Sequence, residues 1–588
     1  MRSASLFAWL VLHLLPAWKD GVVVSALPNR FIAEVVTDVR SIKGTFAPNP
    51  RHVENKPMLL LISKEGQVQA LEDPDDSPHA ITILDLADHI CTNEERGLQN
   101  ILVPPIEGNS SIFVYLYYST RVGDCSATDE PWNVVARFEM NSTTLQLDSD
   151  TRMEVWRGTP ALSGNHKGGG LVYGNDGKLY ITTGDGGRRR NANDLTNLHG
   201  KVIRLNLDGS VPDDNPFVDH TEAYHCAKHG GRIPDNVTSI EAVCSEIFSY
   251  GLRNPFRVTI DPNENNKTSF IISEVGTATW EELNPAGTDY AGVSYGFPSR
   301  EGPCSYQSTT NCDMPEERDE FGNRIVDPMH YYLHHKDGNA EGAAVSGAAF
   351  VPKNIGWPSE YEFLVSDFIF EEIYSLTEDT SSECRDCTPP ISKYRNTTFF
   401  QSTANPGDDY SAPRIVDMFF GNYRDTQALY VIRFGSAYQN FDTILRIRYT
   451  DNDNKPPIAV LDVDDRLYSV GSEVSFSGLQ SSDAEGEVLG FRWFFGDGVE
   501  STEPAPAHTY NKEGHYKVTM IVTDGADQSQ QQTTIVTVGS PPIPTIISPE
   551  AEKGFSVGEV LQLQGTATYP NGTIMDDSYL EWSARRHQ

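Results

Sequence analysis

The sequence predicts an all-β protein: a β-propeller over residues 27–450, an immunoglobulin-like β-sandwich over 455–539 and the start of a further β module over 541–588. Three observations carry this. From Leu27 to Thr450 the chain is a succession of short β-type runs broken by Gly, Asp, Asn and Pro turns, with very little helical periodicity. A strand-turn-strand unit returns roughly every 50 to 80 residues, which suits blades set around an axis better than one barrel or sandwich. Two Pro-rich joints, Asp451-Asn452-Asp453-Asn454-Lys455-Pro456-Pro457 and Ser540-Pro541-Pro542-Ile543-Pro544, divide off the later modules.

In chain order, residues 1–26 read as a cleaved secretory signal: Arg2, an apolar run from Leu6 to Trp18 too short to span a bilayer, then the small residues Val24-Ser25-Ala26. No later stretch is apolar enough for a membrane helix, so the expected product is soluble, secreted and without a membrane span. The clearest propeller strand pairs are Met58 to Ser63 with Val68 to Leu71, Ile112 to Tyr118 with Val134 to Met140, and Leu171 to Tyr173 with Leu179 to Thr183. Then come Val258 to Asp261 with Phe270 to Ser273, Ala348 to Val351 with Phe363 to Asp367, and Ala428 to Arg433 with Ile444 to Tyr449. In the sandwich the strands are Glu473 to Ser477, Gly490 to Phe495, His515 to Val522 and Thr533 to Val538. The last segment is too short to bury a core by itself.

Composition narrows the partners. With 82 acidic against 46 basic residues the formal charge is −36, which argues against nucleic-acid binding and makes any arginine cluster stand out. Six Asn-x-Ser/Thr sequons, at Asn109, Asn141, Asn236, Asn266, Asn396 and Asn571, fit a secretory route. Eight cysteines in an oxidising compartment favour disulfides between neighbours: Cys91 with Cys125, Cys226 with Cys244, Cys304 with Cys312, and Cys384 with Cys387. The last pair also has the spacing of a redox motif, but no thioredoxin-like unit surrounds it.

The chemistry concentrates in Gly164-Asn165-His166-Lys167-Gly168-Gly169-Gly170 and Gly184-Asp185-Gly186-Gly187. Two short strands joined by a tight turn bring His166 and Asp185 to one sheet edge, where a carboxylate can orient an imidazole as a general base. The same spacing also fits a plain hairpin turn beside a surface histidine. Loops from several blades converge at a propeller axis, so Arg253 and Gly276 can join them there.

With these motifs in order, the central region resembles the glucose/sorbosone dehydrogenase family. The other motifs that carry the resemblance are Gly200-Lys201-Val202-Ile203-Arg204-Leu205 with Pro212-Asp213-Asp214-Asn215-Pro216-Phe217, Tyr250-Gly251-Leu252-Arg253-Asn254-Pro255-Phe256-Arg257, and Glu274-Val275-Gly276 with Glu281-Glu282-Leu283-Asn284 and Ser294-Tyr295-Gly296-Phe297-Pro298. The sandwich resembles a PKD (polycystic kidney disease) domain on Trp493-Phe494-Phe495-Gly496-Asp497-Gly498, His508-Thr509-Tyr510 and Val522-Thr523-Asp524. The segment after it looks like a third module of secreted family members, cut short.

The resemblance implies a six-bladed propeller that uses pyrroloquinoline quinone (PQQ) and calcium to oxidise a sugar. His166 would take the proton from the anomeric hydroxyl, Asp185 would hold the imidazole, and Arg253 would stabilise charge on the quinone. Arg253, Asn254, Gly276 and Thr277 would bind the cofactor, with the carbonyls of Gly276 and Thr277 as calcium ligands and Glu282 behind them. Three cofactor carboxylates call for positive charge, for which Arg188-Arg189-Arg190, Lys201 and Arg300 are candidates, as are Lys353, Arg414 and Arg433 later in the domain; the arginine run also fits a solvated loop. The PKD module is expected to hold polysaccharide or cell-surface material. The chain departs from the family pattern at Glu95-Arg96-Gly97-Leu98, which changes charge near the substrate. The same motifs occur in the hedgehog-interacting-protein-like group, whose propellers bind proteins, so a non-catalytic, metal-binding propeller that binds a glycan or protein ligand is the alternative.

Overall fold

The computed structural model describes residues 6–9, most of 27–548, 564–568 and 583–586. The longer stretches left out within 27–548 are 313–317, 336–341, 380–386, 402–413, 436–441 and 451–455, with single residues or runs of up to four elsewhere. The chain divides into two compact units, Val24–Asp451 and a second built from Met1–Val23 and Asn452–Gln588. No α-helix occurs among the described residues.

The larger unit is built on six four-stranded antiparallel sheets, with two small two-stranded sheets besides. From the innermost strand outward, the first blade is Lys43–Ala47, Met58–Ile62, Gln67–Leu71 and Ile81–Asp85. The second begins at Leu98–Leu102, the third at Gly168–Tyr173, the fourth at Pro255–Ile260, the fifth at Val345–Phe350 and the sixth at Arg414–Tyr423. Each of these inner strands neighbours the inner strand of the next blade, and the sixth neighbours the first, so the ring is closed. The sixth blade takes its outermost strand, Phe31–Thr37, from the start of the domain, pairing Phe31 with Tyr449 and Ala33 with Ile447.

The apolar runs of the sequence become strands buried on both faces. In Met58-Leu59-Leu60-Leu61-Ile62, Leu59 and Leu61 pack into the core shared with the sixth blade, while Met58, Leu60 and Ile62 pack into the core shared with the second. Successive blades are thus glued face to face. On the axis, Asp417 of the sixth blade meets Lys43 of the first at 2.9 Å and Arg257 of the fourth at 3.6 Å. Contacts between inner strands of non-adjacent blades can only be made across the axis, so this ion group fills the centre of the ring.

The ring is clasped by charge as well as by strand pairing. Glu34 accepts from Arg446 Nη2 and Arg448 Nε, both at 2.8 Å, and these two guanidiniums hold its carboxyl below the ordinary range although burial pushes the other way.

In the second unit a three-stranded sheet (Asp462–Val463, Glu473–Ser477, Ala507–Thr509) and a five-stranded sheet built on Gly490–Phe494, Gly514–Thr523 and Gln532–Val538 enclose Phe476, Trp493, Phe495, Tyr510, Met520 and Val536. Trp493 Nε1 donates to Glu503 O (2.8 Å) and Tyr510 Oη to Phe495 O (2.9 Å), so both polar tips are satisfied. Ile543–Ser548 pairs with Gln564–Thr568, and Leu6–Trp9, inside the predicted signal, pairs with Ser583–Arg586.

Three of the four expected disulfides are formed, Cys91–Cys125, Cys226–Cys244 and Cys304–Cys312, while Cys384 lies outside the described residues. Asn141, Asn236, Asn266 and Asn396 are exposed, and Asn109 and Asn571 fall outside the description.

Candidate active site

The starts of the inner strands gather at one end of the ring. There Leu98 N donates to Lys64 O (3.0 Å) and Asp185 N to Arg253 O (2.7 Å), and Gly168 N reaches Asn254 Oδ1 at 3.2 Å, so loops of the first four blades interlock. His166 lies in the left-handed region at φ 56°. A Cβ on Gly184 would stand 2.2 Å from the His166 carbonyl oxygen, so glycine there lets the two loops close on each other.

This places His166 Nδ1 2.7 Å from Asp185 Oδ1, with the imidazole 21% exposed and the carboxylate 1%. Asp185 Oδ1 also accepts from Gly187 N at 2.8 Å, which fixes the acid from a second side, and its Oδ2 is buried without a hydrogen-bond partner. A carboxylate on Nδ1 leaves Nε2 as the basic nitrogen. Of the two readings open in the sequence, the hairpin is present and it delivers an oriented histidine.

Arg253 and Asn254 belong to the next blade. Both backbone N–H groups donate to Glu274 Oε1 at 2.7 Å, and Arg253 Nη1 donates to Val275 O at 2.9 Å, its one side-chain hydrogen bond among the described residues. The half-buried guanidinium therefore keeps donors for an anionic ligand. Asn254 Nδ2 donates to Glu95 Oε1 (3.2 Å), and Glu95 Oε2 takes Lys167 N (3.1 Å). The carboxylate noted as a departure in the sequence is thus a working part of the loop that carries His166.

Gly276 and Thr277 sit over a concentration of acid. Glu301 Oε1 accepts the N–H groups of Thr277, Ala278 and Thr279 at 2.7, 3.1 and 3.2 Å. Three oxygens around this loop, Glu274 Oε2, Thr277 Oγ1 and Glu301 Oε2, are buried and without a hydrogen-bond partner. Burial, and then Glu282 nearby, pushes Glu274 up to about 8; burial pushes Glu282 up to about 7. Hard oxygens of this kind are what a calcium ion takes, although the carboxylates here do not converge on one point. With the spare donors of Arg253, these residues fit a quinone-calcium pair.

Other expected residues serve elsewhere. Lys201 is buried, its Nζ spent on Asn191 O (2.8 Å), Ala192 O (3.0 Å) and His199 O (2.5 Å), and burial pushes it down to about 7. Arg300 is paired with Asp327 at 3.0 Å. Lys353 follows the far end of the fifth inner strand, at the opposite end of the ring. Arg414 opens the sixth inner strand at the candidate end, donating to Ile369 O beside Glu371, and burial pushes Arg433 nearby down to about 10 against the pull of Glu371. Arg188, Arg189 and Arg190 are all exposed. Sequence reasoning gave no role to Glu274 or Glu301, nor to His334, whose Nδ1 meets Glu281 Oε1 at 2.6 Å. Each reaches its partners across a loop or between strands, at distances along the chain that carry no periodic signal.

The family model for glucose/sorbosone dehydrogenase matches residues 48–227 and 223–388, together more than half of the chain. The chain belongs to the glucose/sorbosone dehydrogenase family. Residues 454–538 match the PKD domain. Among curated relatives of this family, the aldose sugar dehydrogenase YliI of Escherichia coli is 31% identical over 44% of this chain and 58% of its own length. The quinoprotein glucose dehydrogenase B of Acinetobacter calcoaceticus is 29% identical over 32% of this chain and 37% of its own length, and the HIPL2 protein of Arabidopsis thaliana is 24% identical over 52% and 44%. The chain thus spans less than two thirds of each of these relatives. No helix of the described residues is long and apolar enough to cross a membrane.

Proposed function

We propose that this chain is a secreted, PQQ- and calcium-dependent sugar dehydrogenase that oxidises an aldose to its lactone. The observation that carries the reading is the oriented base: His166 held at 2.7 Å by a buried Asp185, on a loop interlocked with Arg253 and Asn254. His166 Nε2 accepts the proton of the anomeric hydroxyl while Asp185 keeps Nδ1 protonated and stabilises the imidazolium that forms. The sugar gives up that proton from O1 and a hydride from C1, which leaves the lactone. PQQ, when bound, supplies the two-electron carbonyl acceptor for the hydride. Arg253 would hold it there and place positive charge beside its oxygens, while Asn254, bonded to Gly168 N and Glu95, would fix the loop that carries His166. The loop at Gly276 and Thr277, with Glu282 behind, holds calcium. Exposed sequons and formed disulfides support secretion, and the PKD module is assigned to polysaccharide or cell-surface material.

A second reading, a metal-binding propeller that binds a glycan or protein ligand without catalysis, is favoured by one observation: Glu95 adds negative charge beside the site of a polyanionic cofactor. Sugar oxidation with a dye acceptor separates the two. The purified protein should oxidise aldoses only with both PQQ and calcium present, and His166→Ala should abolish turnover. Absence of turnover over a broad sugar panel, together with no change in quinone absorbance on mixing, selects the second reading.

A further inference from the structure

Arg188, Arg189 and Arg190 leave the Asp185 turn directly, with Arg188 N donating to Asp185 O at 3.3 Å and the 3-10 turn Arg189–Ala192 following. In a chain of net charge −36 three adjacent exposed arginines would be expected to find carboxylates. Arg188 and Arg190 have no such partner among the described residues, and Arg189 lies over the ring of Tyr306 at 4.7 Å. Together with Pro298 the three line an open cleft of about 530 Å³. Pro298 and Tyr306 belong to the fourth blade's insertion, between its strands Trp280–Gly287 and His330–Leu333, whereas the arginines belong to the third blade. The cleft therefore lies where the blade of His166 and Asp185 meets the blade of Arg253 and Asn254. Arg188 also borders a recess of about 340 Å³ that shares His199 with the small hollow lined by His166. That recess is mixed in charge, since Glu130, Asp194 and Asp235 line it too, whereas the described residues that line the open cleft include no acid.

We propose that this cleft is a subsite for the anionic group of an acidic saccharide, a carboxylate or sulfate carried on the sugar or on the residue next to the one that reacts. Guanidinium forks can donate two N–H bonds at once to the oxygens of either group and match its charge. The inference deepens the dehydrogenase reading and rests on it for the reacting end, which lies at His166.

The test uses the full-length protein and three tetrasaccharides: oligogalacturonate, a sulfated glycan and a neutral maltooligosaccharide. Calorimetry should show the two anionic ligands, or one of them, binding at least tenfold tighter than the neutral one, with affinity falling as salt rises. The comparison between the two anionic ligands names the group. The variant Arg188→Gln/Arg189→Gln/Arg190→Gln should lose the preference, and the ratio of kcat/KM for glucuronate to that for glucose should fall at least tenfold. Equal affinity for anionic and neutral ligands in the unmodified protein overturns the subsite, and so does a preference that survives in the variant. Anionic binding through the arginines with no oxidation of any sugar would keep the subsite and reject the dehydrogenase. Oxidation of neutral aldoses with no anionic preference would do the reverse.

Discussion

At the scale of single residues the site depends on acids placed by their neighbours. Asp185 is buried, and its carboxylate accepts Gly187 N from its own turn and meets the imidazole of His166. Replacing it with Asn keeps the shape and removes the carboxylate that orients the imidazole, so Asp185→Asn should lower kcat roughly 10²- to 10⁴-fold. Steady-state kinetics check this, and an unchanged kcat would remove Asp185 from the mechanism. The pair was legible in the sequence because only one hairpin separates its members. Glu95 was legible only as a change of charge, and Glu274 carried no role, because their hydrogen bonds to Asn254 and Arg253 exist only once neighbouring strands and blades are side by side.

At the scale of elements, the strands were readable wherever both faces are buried. Met58–Ile62 is an unbroken apolar run because one face meets the sixth blade and the other the second. Phe31–Thr37 was harder: its partner Thr443–Tyr449 lies at the other end of the domain, and its glutamate sits at a buried position. Glu34 is affordable there only against Arg446 and Arg448. Glu34→Gln takes away the carboxylate that Arg446 and Arg448 share, leaving Arg446 with Asp75, and unfolding in urea should show a loss of about 3–5 kcal/mol in the larger unit. A loss below about 1 kcal/mol would mean that strand pairing alone closes the ring.

Across the whole molecule, burial also sets the response to acid. His330 is 3% exposed, with Nδ1 3.0 Å from Ser392 Oγ and Nε2 buried without a hydrogen-bond partner. Burial pulls its imidazole down from the ordinary 6.5 to about 4. The unfolded chain takes up a proton below 6.5 that the folded one refuses until about 4, so stability present above 6.5 is lost as the pH falls through that window. His330→Phe should remove at most about 3 kcal/mol of that acid sensitivity, measured as the difference between the two proteins' stabilities at neutral and acid pH. Parallel curves would show that His330 is solvated when it titrates.

The order of motifs along the chain was enough to determine an all-β propeller with a PKD-type sandwich, three of the four neighbouring cysteine pairs and the His166–Asp185 hairpin. All of these depend on residues close in sequence or on patterns repeated along it. Only the tertiary structure decided which charges are free. Lys201 and Arg300 were drawn into carbonyl and carboxylate contacts, whereas Arg253 makes one side-chain hydrogen bond among the described residues and the Arg188 to Arg190 run stays exposed. A charge is neutralised by whatever folding brings beside it, and in a closed ring of blades that neighbour comes from another part of the chain.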